Sequence, residues 1–181
     1  MKHFYYTRFL ILFILFLVLS SITDAQTYEG SRFRVVEVND GDTISIKVNS
    51  FFGVTTKIER LRLIGIDAPE LKQEPWGRIS KRYLKKLISE SDWVISVEFD
   101  IEKRDKYGRL LGYVWDKMGR LINEKMLEDG YAVLYTIAPN VKYTERFIIA
   151  QKNAQLKRRG IWSKGGLKTS PQQWRIENPR N

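Results

Sequence analysis

The 181-residue chain has no cysteine. Disulfides, thiolate metal sites and cysteine nucleophiles are therefore excluded. Histidine is almost missing too, with His3 the only one. There is also no apolar run of the length a transmembrane helix needs. The longest, 9–19 (FLILFILFLVL), has 11 residues, against about 20 for a membrane span. No internal repeat and no second domain can be seen.

That short run sits in a particular context. Lys2 and Arg8 give it a positive flank, and 20–25 (SSITDA) supplies small residues. Thr23 and Ala25 occupy the −3 and −1 positions of a cleavage site before Gln26. This pattern predicts a signal peptide over 1–25 and hence export, to the medium, a periplasm or the envelope. Left uncleaved, the segment would instead be an N-terminal anchor, and membrane association would depend on it. Cleavage also removes His3. A general base in the mature chain must then be a carboxylate, a tyrosine, a lysine or a metal-bound water.

What is abundant is positive charge. The net charge is +10, and hydrophobic residues make up 43% of the chain. One domain with a real core is possible. The charge favours a polyanionic partner, either nucleic acid or an anionic membrane surface.

After a polar lead-in over 26–32, strands are predicted at 33–38 (FRVVEV) and 43–48 (TISIKV). The Asp-Gly of 39–42 joins them as a hairpin turn. A loop at 49–56 carries Phe51 and Phe52, aromatic residues that can cover the core edge. A third strand follows over 57–66, which makes an antiparallel meander. Over 74–89 the period changes. Ile79, Tyr83, Leu84, Leu87 and Ile88 share a helix face, and Lys81, Arg82, Lys85 and Lys86 fill the other, read as a solvated face. Further strands are predicted at 93–99 and 109–115, and a helix at 121–129 stopped by Gly130. A last helix, capped by Thr144, runs to Arg159. From Ser163 on, Gly165, Gly166, Pro171 and Pro179 dilute any pattern, and 164–181 reads as a poorly ordered tail whose Trp174 could dock on the body. The fold class is α+β, mainly β: a five-stranded barrel of the OB type with three packed helices.

The chemistry concentrates at 61–70 (LRLIGIDAPE). Pro69 ends the strand, since it has no N–H for a ladder. Asp67 and Glu70 thus flank a rigid turn close to Arg62. Two carboxylates and an arginine suit a hard metal ion and a phosphate; they also suit a surface salt-bridge cluster.

Three motifs in order decide more: Asp40-Gly41-Asp42-Thr43, then Arg62 through Glu70, then Asp105-Lys106-Tyr107-Gly108-Arg109. Together they resemble the staphylococcal nuclease (thermonuclease) family. The resemblance continues through Asn123-Glu124 and Pro139-Asn140 to Gly160-Ile161-Trp162-Ser163 and spans 33–163. It implies an OB-fold barrel that binds one Ca²⁺ and hydrolyses phosphodiesters of DNA and RNA, leaving 3′-phosphates. By this resemblance Asp42 and Asp67 are the carboxylate ligands of the ion and the Ala68 backbone carbonyl is another. Asp40 supports the ion from behind. Glu70 orients or deprotonates a water, and Arg62 and Arg109 grip phosphate oxygens through planar forks. Lys106 and Tyr107 match positions that contact a terminal phosphate, and Tyr135 matches a tyrosine of the nucleotide pocket. Ile137 departs from the pattern, standing where a second pocket aromatic is expected.

Two other readings compete. A catalytically silent nucleic-acid-binding barrel would have no need of Arg62, Glu70 and Arg109 together with both aspartates. A basic, membrane-anchored protein would leave the acidic turn unexplained. The enzyme, acting on nucleic acid as a monomer with no obligate protein partner, accounts for all five residues.

Overall fold

The structure, a computed structural model, describes residues 32–49 and 56–179. The predicted signal peptide and the Phe51-Phe52 loop lie outside the described residues. Five strands close a barrel: β1 (Arg32–Val38), β2 (Thr43–Asn49), β3 (Thr56–Leu63), β5 (Val94–Glu98) and β6 (Leu110–Trp115). β1, β2 and β3 form the antiparallel meander. β3 then pairs in parallel with β6, β6 pairs with β5, and β5 returns to β1. Closure leaves the barrel without an edge.

Alternation decides what fills it. Ile44, Ile46, Leu61, Leu63, Ile95 and Val114 are essentially inaccessible to solvent. Helix α1 (Trp76–Glu90) buries Ser80, Leu84, Leu87 and Ile88. Arg82, Lys85 and Lys86 on its other face are exposed. Helix α2 (Ile122–Glu128) buries Met126 and Leu127, and helix α3 (Thr144–Leu156) buries Phe147, Ala150 and Ala154. Tyr83 of α1 donates a short hydrogen bond to Asp129, just beyond α2, fixing the two helices together.

The structure departs from the sequence reading in four places. The third strand does not run through to Ile66. It breaks at Ile64, and β4 (Gly65–Asp67) leaves the barrel to pair antiparallel with β7 (Val133–Tyr135). Gly65 makes the break with φ near +80°, and an added Cβ would collide with the Phe147 ring. Thr144 is the first residue of α3, preceded by Tyr143 with no side-chain cap, and the helix ends at Leu156. The third departure is a fourth α-helix, α4 (Pro171–Glu177), inside the stretch read as a tail. A 3₁₀ turn at Gly160–Trp162 precedes it.

The last departure is Asn123, read only as part of a motif. It is fully buried and accepts the Val114 N–H at 2.8 Å. Its amide also donates to the Ile64 carbonyl at 2.8 Å. It therefore satisfies the backbone where the third strand breaks.

Candidate active site

The turn at 39–42 is pinned at both ends. Asp40 Oδ1 accepts the Asp42 N–H at 3.1 Å, and the Asn39 N–H donates to the Thr43 carbonyl at 2.9 Å. The Asp42 carbonyl accepts Leu63 N–H at 2.8 Å, which fastens the turn to the end of β3. Gly41 lets the turn close. A Cβ there would lie 2.5 Å from the Ala68 Cβ and 2.9 Å from the Ser80 Cβ.

This closure brings Asp42 to Asp67, the last residue of β4. Asp42 Oδ2 accepts the Ala68 N–H at 2.7 Å, and Thr43 Oγ1 donates to Asp42 Oδ1 at 3.1 Å. One nitrogen of Arg62, Nη2, lies 3.1 Å from Asp42 Oδ2 and 3.2 Å from Asp67 Oδ1. The two carboxylates thus converge on a single point. Both are buried, Asp67 to 2% exposure. Burial pushes the Asp42 carboxyl up to about 7; Arg62 pulls against this, and the charges of Asp40 and Asp67 add to it.

Arg109 is aimed by a residue that the sequence reading did not single out for this role. Asp105 Oδ2 accepts Arg109 Nε at 2.7 Å, while its Oδ1 accepts the backbone N–H of Tyr107 and of Arg109 at 2.9 and 3.0 Å. The Arg109 guanidinium and the Lys106 ammonium lie 5.7 and 5.2 Å from the centre of the Tyr107 ring. Tyr107 is 73% exposed, which rules out core packing for it.

Glu70 sits in a tight loop. Its carbonyl accepts Gln73 N–H at 2.7 Å, and its N–H donates to Gln73 Oε1 at 3.3 Å. Tyr135, paired with Gly65 in the β4–β7 ladder, is half-buried. Ile137 beside it is 59% exposed and offers no aromatic face.

Asp40, Asp42, Arg62, Asp67, Ala68, Glu70, Lys106, Tyr107, Arg109 and Tyr135 all line one cleft of about 1210 Å³. Every residue singled out from sequence is brought together there. The same cleft also holds Arg60, Arg104 and Arg175, which sequence reasoning missed, and Trp174, which it expected could dock on the body. Arg104 is clamped on Glu59 at 3.1 and 3.3 Å. Asn140 holds the rim by exchanging two hydrogen bonds with the backbone of Glu102, each 2.9 Å long.

Among the described residues no group of three or more histidine, cysteine, aspartate or glutamate side chains could hold a metal ion. The donor set is smaller: Asp42, Asp67 and the backbone at Ala68. It fits a hard cation in that every donor is an oxygen; at the point where the two buried carboxylates meet, the positive charge in this structure is Arg62 Nη2.

A closed five-stranded barrel, wound as an OB fold and carrying paired acids and several arginines in one cleft, defines a class of barrel suited to handling phosphate. The comparisons agree with this class. The family model of the staphylococcal nuclease homologue matches residues 60–164. The thermonuclease of Staphylococcus hyicus is 35% identical over 137 residues, 72% of this chain and 75% of that protein. That of Staphylococcus intermedius is 37% identical over 142 residues, 75% of this chain and 78% of that protein. Endonuclease YncB of Bacillus subtilis (strain 168) is 35% identical over 138 residues, 72% of this chain and 61% of that protein. The chain belongs to the staphylococcal nuclease homologue family.

Proposed function

We propose that this protein is a Ca²⁺-dependent nuclease that hydrolyses phosphodiester bonds of DNA and RNA with little sequence specificity and leaves 3′-phosphate ends. The observation that carries the proposal is the meeting of Asp42, Asp67, Arg62, Glu70 and Arg109 in one cleft. Relatives named thermonuclease and endonuclease support it. Export through residues 1–25, and action as a monomer, belong to the same proposal.

Asp42, Asp67 and the Ala68 carbonyl would hold the ion, with Asp40 bracing the turn that carries Asp42. When bound, Ca²⁺ supplies charge neutralisation at the phosphoryl oxygen. Glu70, three residues beyond Asp67 and lining the same cleft, orients an attacking water and accepts its proton. Arg109, held by Asp105, presents its guanidinium to phosphate oxygens. Arg62 adds positive charge between the acids. Both favour the transition state, which carries more negative charge than the substrate. Lys106 and Tyr107 form an exposed lip for a flanking phosphate. Tyr135 offers an aromatic face on which a base can stack without being read. With Ile137 in place of a second aromatic, that platform is narrow.

The test is digestion of single- and double-stranded DNA and of RNA, with Ca²⁺ and with a chelator, and end-group analysis of the products. Cutting that requires Ca²⁺ and leaves 3′-phosphates is the expected result. A folded protein that retards DNA in a gel yet cuts nothing would establish the catalytically silent binding barrel instead.

A further inference from the structure

Helix α4 lies beyond the segment that the family model matches, 60–164. One of its side chains nevertheless reaches the centre of the cleft. Arg175 Nη2 is 2.8 Å from Asp67 Oδ2, and its Nη1 is 3.1 Å from Asp67 Oδ1. The same Nη1 is 3.0 Å from Glu70 Oε1. One guanidinium therefore takes both oxygens of a proposed metal ligand and one oxygen of the proposed base.

The contact is built into the helix, since three further features hold α4 in place. Ser170 Oγ caps the Gln173 N–H at 3.1 Å. Pro171, the first residue of α4, is buried. Gln73, which closes the Glu70 loop, donates from Nε2 to the Thr169 carbonyl at 2.6 Å. The element that presents Arg175 is thus tied to the loop that presents Glu70.

We propose that Arg175 is a built-in cation that closes the site: α4 docks it on Asp67 and Glu70, and a divalent ion must displace it before the cleft can act. This rests on the reading of Asp42 and Asp67 as metal ligands. An ionised carboxylate offers lone pairs and no donor, so a guanidinium fork and a hard cation compete for the same oxygens. Oxygen–calcium contacts are about 2.3–2.6 Å, so the ion and the Arg175 fork, which takes both Asp67 oxygens, cannot hold that carboxylate together; Arg62 meets it through Oδ1 alone. Displacement of Arg175 also takes its guanidinium off Glu70 and moves the cleft wall that carries Trp174. The metal then does two things: it fills the acid pair and it opens the groove.

Calorimetric Ca²⁺ titration of the full chain tests this, alongside Arg175→Gln, Gln73→Ala and Arg78→Gln. Arg175→Gln removes the competing charge. Gln73→Ala cuts the tether and keeps Arg175. Arg78→Gln removes an exposed charge paired with Glu74. The expected result is Ca²⁺ binding about tenfold tighter in Arg175→Gln, within the range by which two linked binding events shift one another. Gln73→Ala should shift in the same direction and Arg78→Gln should not. In the unaltered chain, Ca²⁺ should speed hydrogen exchange over 171–177. Equal affinity in Arg175→Gln and the unaltered chain, or an equal gain in Arg78→Gln, overturns the proposal and leaves the metal site standing. No Ca²⁺ binding by any of the proteins overturns the metal site and this proposal together.

Discussion

Asp42 and Asp67 sit where carboxylates are costly, buried and converging on one arginine nitrogen. Such a pair is stable only while positive charge lies between or beside it. The guanidiniums do this in the structure. Their geometry matters as much as their charge, because a planar fork meets two oxygens of one group side by side, whereas an ammonium is a point charge with rotating donors. Arg109→Lys and Arg62→Lys should each lower turnover by about 10²-fold or more, the scale for losing a donor aimed at the transition state. Steady-state kinetics on a short oligonucleotide checks this, and near-normal turnover in both would remove the arginines from the chemistry. Gly41 is a second test at this scale. Gly41→Ala forces a Cβ to 2.5 Å from that of Ala68, an overpacking that should cost about 1–3 kcal/mol. A urea midpoint equal to that of the unaltered protein would mean that the turn does not close as described.

Half-buried polar groups join the elements beside the hydrophobic core. Glu98 on β5 accepts from Trp115 Nε1 of β6 at 2.9 Å and from Tyr143 Oη, just before α3, at 3.0 Å. Burial would raise its carboxyl, but hydrogen bonds from Lys142, Tyr143 and Trp115 outweigh that and hold it below the usual carboxylate range. A depressed folded-state pKa contributes stability above the unfolded pKa and loses it as pH falls through the folded one. Glu98→Gln should therefore be less stable at neutral pH and lose less on acidification. Denaturant midpoints across that range measure it, and parallel acid limbs for the two proteins would contradict it.

The same scale shows what was legible. The hairpin, the barrel strands and α1 follow from period and turn chemistry. The β3–β4 break was not read, because Gly65 looks like a tolerated interruption until Phe147 packs against it from α3, a contact distant in sequence. Helix α4 was misjudged, although its signal was present. Ser170-Pro171-Gln172-Gln173 has the form of a capping box with proline at the first helical position, and the flanking glycines and prolines masked it. Arg175 was missed with it, since no local rule links a C-terminal arginine to an aspartate 108 residues earlier.

For the whole molecule, closing the barrel places three separate stretches of a histidine-poor chain in one cleft. The motif residues were legible as a set because the three motifs in order resemble one family; local chemistry alone left a surface salt-bridge cluster equally open. Their mutual distances were not, because these depend on closure. The central claim is that this cleft hydrolyses phosphodiesters with Glu70 handling the water. The most direct test measures turnover of DNA and its binding side by side, in the unaltered protein and in Glu70→Gln. The account predicts turnover reduced by about 10²-fold or more, the contribution of a general base, with DNA still bound. Equal turnover in the two proteins would contradict it.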